Sequence, residues 1–324
     1  MLLPLTPLKA AAYRVPTGER GCLFEGRGTE WLSTFLFAVV SGILFGVFFS
    51  LMAIGLNFAF GVMKIVNLAH GDFVMLGAFG AYYALSTFGI NPFETMIMEI
   101  VVFLVVGVAL YYGIIPRLLR SDDPEMLSLI LFFGISQVIE ALATLAFGTN
   151  PVTLPTNALG QLSFQLFGQA FESSWVISFL VSVVAIGLLY VYLYKTKMGI
   201  ATRAIMANRD EAAASGIDVN RISAIAFGIA LVLAAIAGTL TPFMLGGIYP
   251  SVGVNLTITS FSIIVIGSLG NPIGTVVGGL VYGLSLLLMQ TYLSSWANMV
   301  PYVLLILILL IKPSGLLGKG ARNA

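Results

Sequence analysis

Charge is what this chain has least of. Asp, Glu, Lys and Arg make up 9% of its 324 residues and 59% are hydrophobic, against roughly 25% and 45–50% in globular proteins. That balance excludes a water-soluble fold. A single cysteine, Cys22, closes no internal disulfide and builds no thiolate cluster, so neither a disulfide scaffold nor a structural zinc site is available. A single histidine, His70, leaves no second imidazole at metal-ligand spacing, and no Ser- or Cys-centred motif accompanies it, which argues against catalysis. No metal or cofactor is expected. With 15 Lys+Arg against 14 Asp+Glu there is no basic excess to hold a phosphate backbone, and nucleic acid is an unlikely partner.

What the chain has instead is long apolar runs. A helical span needs about 20 apolar residues to cross roughly 30 Å of hydrocarbon, and such runs fall at about 33–62, 65–87, 96–115, 126–147, 174–194, 222–245, 255–270, 275–293 and 296–312. The expectation is an all-α polytopic transmembrane bundle of about 8–10 spans. The first run is too long for one perpendicular helix and 255–270 is short, and broken or re-entrant helices would explain both. Basic residues near span ends stay cytoplasmic. Arg117 and Arg120, then Lys195, Lys197, Arg203, Arg209 and Arg221, then Lys312, Lys319 and Arg322 all fall on one side if nine runs alternate, as does Lys64. Connections 88–95, 148–173, 246–254 and 294–295 hold no Lys or Arg and form the other face. Residues 1–30 carry Lys9, Arg14, Arg20 and Arg27, which nine alternating spans place outside, so either the first run is two short helices or this tail crosses despite its charge; without a continuous apolar h-region it reads as a poorly ordered extension. Residues 31–324 form the membrane domain.

Glycine is abundant, with 35 residues, and repeats within spans as Gly42-x-x-x-Gly46, Gly274-x-x-x-Gly278 and Gly279-x-x-x-Gly283. In lipid this spacing lets helices approach closely, and packing within the bundle is favoured over a dimer face.

Polar residues interrupt the runs in three places. Lys64 to Asp72 contains Asn67, His70, Gly71 and Asp72 just before an apolar run. Asn67 suits an N-cap, and these groups either fix a helix start or line a translocation path, since polar groups in hydrocarbon are costly. Gln137 and Glu140, three residues apart, share a helix face in mid-span and either belong to the pathway or cement two helices. Gly270, Asn271, Pro272 and Gly274 break the helical pattern late in the chain. Between Lys195 and Arg221 the chain turns polar, and residues 200–214 read as one short amphipathic helix ended by Gly216, with Ile205, Ala212 and Ala213 on one side. Its alanine-rich face suits a groove on a soluble partner better than lipid.

Three of these stretches carry a family likeness. Asn67-Leu-Ala-His-Gly-Asp-Phe-Val-Met-Leu-Gly-Ala78 resembles the signature of the LivH-type permeases of branched-chain amino-acid ABC importers. The segment with Arg203, Asn208, Arg209, Asp210, Glu211, Ala212 and Gly216 is similar to that family's cytoplasmic coupling segment, although Glu211-Ala-Ala with Gly216 departs in spacing from the general importer EAA loop. Gly267 to Gly279 is similar to its late helix break. The resemblance implies an inner-membrane permease subunit moving branched-chain or related amino acids inward. It also implies four partners: a second related permease, two cytoplasmic ATPase subunits and an extracytoplasmic binding protein. The chain has no Gly-x-x-x-x-Gly-Lys-Ser/Thr phosphate loop of its own. The alternative is an ion-coupled secondary transporter or channel using Asp72 or Glu140.

Overall fold

The computed structural model describes residues 22–160, 163–166 and 169–318. Among these described residues nine helices build the bundle: α1 (Cys22–Met63), α2 (His70–Phe88), α3 (Pro92–Leu118), α4 (Pro124–Phe147), α5 (Ser173–Lys195), α8 (Val219–Leu245), α9 (Val252–Gly267), α10 (Pro272–Tyr292) and α11 (Val300–Ile311). Two short helices, α6 (Lys197–Ala207) and α7 (Arg209–Ala214), fill the long polar connection. Among the described residues seven stretches are long and apolar enough to cross a membrane. The 19-residue α2 and the 16-residue α9 complete the nine. Each corresponds to one expected run.

The first run is not two helices. α1 is continuous, with no proline in it, and its apolar part Trp31–Met63 alone has 33 residues, about 50 Å at 1.5 Å per residue. It therefore outreaches the hydrocarbon, and its N-terminal end lies at the face opposite the basic residues. Residues 1–21 of the charged extension lie outside the described residues.

Sidedness is fixed by contacts at both ends. Val152 and Ile248 exchange backbone hydrogen bonds of 2.8 Å, joining the α4–α5 and α8–α9 connections at one end. Here also sits an antiparallel hairpin of β1 (Ser163–Leu166) and β2 (Gln169–Glu172), a small addition to the all-α expectation. Phe171 of β2 packs on Phe37 of α1 with ring centroids 4.9 Å apart. The other end carries Lys64, Arg117, Arg120, α6, α7 and Lys312, and is cytoplasmic by the basic-residue rule.

α8 is the central pillar. Its alanines and glycines let α1, α2 and α3 pack closely around it; Gly228 meets Gly107 of α3 with room for no side chain, since a Cβ at Gly107 would come within 2.7 Å of the Gly228 Cα. The glycine repeats pack inside the bundle, as expected. Gly42 and Gly46 of α1 face Gly279 and Gly283 of α10, and Gly274 and Gly278 abut Gly267 of α9. By contrast α4 touches its neighbours along a narrow stripe, leaving Ile130, Phe133, Val138, Leu142 and Leu145 exposed.

Candidate functional site

The second span begins inside the bundle. Lys64 adopts a left-handed φ of 56° and ends α1, and residues 64–69 then run back along it without helical structure. The Nε2–H of His70 donates to the Met52 carbonyl at 2.9 Å. Met52 lies eleven residues before Met63, so α2 starts about 16 Å from the cytoplasmic end of α1. Six extended residues cover such a distance.

Unwound backbone at this depth must find partners within the protein, and it does. The Thr257 hydroxyl of α9 accepts from the Gly71 N–H at 2.9 Å and donates to the Leu68 carbonyl at 3.0 Å. Asn67 does not cap α2. The N-cap is Ala69, which has no side-chain cap, and Asn67 Oδ1 accepts from the Ala69 N–H at 3.0 Å, holding the turn before the helix. Gly71 lies against Gly253 and Thr257 so tightly that a Cβ would collide with both.

Asn67, His70, Gly71 and Asp72 are therefore all buried together. Asp72 is fully enclosed and neither carboxylate oxygen has a hydrogen-bond partner. It sits in the first turn of α2 against Gly253 in the first turn of α9, where the positive ends of both helices favour an anion. Ser136 and Glu140 of α4 are its polar neighbours. Glu140 is thus brought to the site, half-buried, whereas Gln137 is exposed on the outer side of α4.

The late break is a turn between two helices at the cytoplasmic end. α9 ends at Gly267, Ser268 and Gly270 take positive φ values of 132° and 74°, and Asn271 caps α10 by accepting from the Ile273 and Gly274 N–H groups. Pro272 stands at the first helical position, where its missing N–H costs nothing. The carbonyls of Ile266 and Gly267 are taken up by the N–H groups of Leu316 and Leu317, from the tail after α11.

The polar connection forms an elbow instead of one helix. Asn208 is extended (φ −155°), ending α6 and capping α7 through the Asp210 and Glu211 N–H groups, while its amide donates to Glu211 Oε1 at 2.7 Å. Gly216, with φ 82°, terminates α7 as expected. α6 is welded to α5: Thr196 caps it, Arg203 Nε donates to the Leu193 carbonyl at 3.0 Å, and the Arg203 guanidinium lies 4.5 Å from the Tyr194 ring centre. Ile205 and Ala212 turn inward and are buried, whereas Ala213 is exposed. Thus the apolar side packs on the bundle, and Asp210, Glu211 and Gly216 face the cytoplasm. Arg209 is half-buried beside Tyr111 of α3.

Two buried polar side chains emerge that the sequence reading passed over. Asn57 of α1 donates to the Ser268 and Asn271 carbonyls at 3.1 and 3.0 Å and accepts from the Gly270 N–H. Glu99 of α3 is 7% exposed and accepts from the Thr239 hydroxyl at 2.6 Å. Glu99 was visible as an acidic residue inside a predicted span; Asn57 had no partner nearby in sequence to mark it. Among the described residues no group of three His, Cys, Asp or Glu is placed to hold a metal.

Residues 38–309 match the model of the branched-chain amino acid transport system permease component. The high-affinity branched-chain amino acid permease LivH of Escherichia coli is 28% identical over 90% of this chain and 98% of its own length. The probable LivH of Methanocaldococcus jannaschii is 32% identical over 83% of this chain and 88% of its own, and BraD of Pseudomonas aeruginosa is 28% identical over 88% and 96%. No solved structure matches the chain.

Proposed function

The chain belongs to the branched-chain amino acid transport permease family, and on that premise we propose how it works within an ABC importer. It is an integral inner-membrane protein and the transport subunit; ATP is hydrolysed by separate subunits. The proposed partners are a second related permease, two cytoplasmic ATPases and a soluble extracytoplasmic binding protein. The proposed cargo is leucine, isoleucine or valine, the class named for the relatives. Residues 31–324 carry this function, with 1–30 as an extension to it.

One observation carries the mechanism. Met206 of the elbow and Gly270 of the α9–α10 turn both lie against Gly61 at the cytoplasmic end of α1; a Cβ there would come within 2.6 Å of Met206 Cε and 3.4 Å of Gly270 Cα. A push on the exposed side of α7, at Asp210, Glu211 and Gly216, is delivered to α1 through α6, because Arg203 and Thr196 fix α6 to α5 and Ile205 is packed inward. α1 in turn holds the Met52 carbonyl to which His70 is tied. Closure of the ATPases therefore moves the start of α2, and with it Asn67, Gly71, Asp72 and the facing Glu140, between outward and inward access. Packed contacts transmit such displacements because cores are close to incompressible.

The test is copurification of the tagged chain with its ATPase subunits, comparing wild type with Glu211→Arg on that exposed side. The proposal expects the variant to keep its fold but lose ATPase retention or substrate-stimulated hydrolysis. Unchanged retention and stimulation would remove the elbow from the ATPase interface.

A further inference from the structure

A cavity of about 780 Å3 opens near the extracytoplasmic end between α2, α3 and α4, away from the start of α2. Its floor is Glu99, 7% exposed and seven residues into α3 from Pro92, hence about 10 Å below the end of that helix. The two carboxylate oxygens differ. Oε2 accepts from the Thr239 hydroxyl at 2.6 Å, whereas Oε1, covered by Gly80, has no hydrogen-bond partner. Gly80 makes the space for Oε1, since a Cβ there would collide with it.

The walls are apolar and aromatic. Phe79 and Phe147 stack with centroids 4.3 Å apart, and Tyr83 meets both Phe147 and Phe88 edge to face at 6.3 and 6.2 Å. None of the lining residues is Lys, Arg or His. A carboxylate enclosed by apolar groups must either take up a proton or meet a counter-charge. Aromatic faces attract cations, and the aliphatic lining at Leu76 and Met98 accepts a hydrocarbon body.

We propose that this cavity binds an organic primary ammonium group on a short aliphatic body, with the Glu99 carboxylate as acceptor and the Phe79–Tyr83–Phe147 wall around the charge. Two sources present that chemistry: the α-ammonium of an amino acid, or the ethanolamine headgroup of a phospholipid. Only the first rests on the transport function proposed above, and the binding measurement needs no transport.

The test uses the purified full chain in nanodiscs of phosphatidylglycerol, titrated calorimetrically with two halves of leucine: 3-methylbutylammonium and 4-methylpentanoate. The ammonium probe is expected to bind and the carboxylate probe not. Glu99→Gln is expected to weaken the ammonium probe at least about tenfold by removing the charged acceptor. Gly80→Ala, which keeps the charge but fills the space beside it, guards against a folding defect in Glu99→Gln and is expected to weaken binding likewise. The sources separate in two further arms. If the ligand is an amino acid, leucine competes with the probe equally in phosphatidylglycerol and phosphatidylethanolamine discs. If it is a lipid, phosphatidylethanolamine competes by itself and is retained by wild type but not by Glu99→Gln in native mass spectrometry. Absence of probe binding to wild type, equal binding of the carboxylate probe, or binding indifferent to both substitutions would overturn the proposal.

Discussion

The Gly270 N–H donates to the side-chain oxygen of Asn57 across 213 residues of sequence, and the same amide donates to the carbonyls on either side of that turn. One side chain thereby pairs the Gly270 N–H, adds a second partner to two carbonyls that already accept from the Asn271 and Thr275 N–H groups, and ties the turn to α1. Replacing Asn57 by Ala strands the Gly270 N–H in a partly buried site and removes the tie to α1. Membrane-interior hydrogen bonds are worth about 0.6–2 kcal/mol each, so Asn57→Ala should lower the thermal unfolding midpoint by several degrees in nanodiscs. An unchanged midpoint would mean that the turn holds itself.

The α1–α10 seam gives a contrast between glycines. A Cβ at Gly283 would collide with Gly46, whereas one at Gly134 on α4 meets nothing within 4 Å. Gly283→Ala should destabilise by about 1–3 kcal/mol as an overpacked contact. Gly134→Ala should be neutral or stabilising by about 0.5–1 kcal/mol, the ordinary helix preference for Ala over Gly. Equal effects on thermal unfolding would show that backbone approach does not hold these helices.

His70→Ala removes the donor to the Met52 carbonyl and empties the space against Gly55, where a Cβ would lie 3.1 Å from His70 Cε1. Uptake should fall while copurification with the partners persists, because the cytoplasmic elbow is remote from the change. Loss of both together would instead mark His70 as a folding residue.

Gly216→Val forces a β-branched residue into a φ of 82°, costing about 1–2 kcal/mol locally. The end of α7 should fray, and the ratio of ATP hydrolysed to amino acid transported should rise. An unchanged ratio would show that this helix end carries no force.

Much of this architecture was legible because apolar length is a strong signal: nine runs became nine helices, and the basic residues gave their sidedness. What was not legible has physical reasons. Residues 65–69 are as apolar as a span, and composition does not distinguish helix from extended chain buried against helices, so the start of α2 was placed five residues early. Gln137 and Glu140 are three apart, which leaves about 60° between them around the helix. Because α4 touches the bundle along a narrow stripe, that angle is enough to bury one and expose the other. The elbow at Asn208 was hidden by strong alanine helix preference, yet Asn208-Arg-Asp-Glu211 is itself a capping pattern and was readable as a break. Asn57 bonds only to residues more than 200 positions away, which no local pattern reveals.

The most direct measurement is uptake of labelled leucine into proteoliposomes holding this chain with its copurified partners and a loaded binding protein. Uptake should require ATP inside the partner-facing compartment, persist when ionophores collapse all ion gradients, and be lost in Glu211→Arg. Uptake by the chain alone that follows an imposed proton or sodium gradient and ignores ATP would contradict the account.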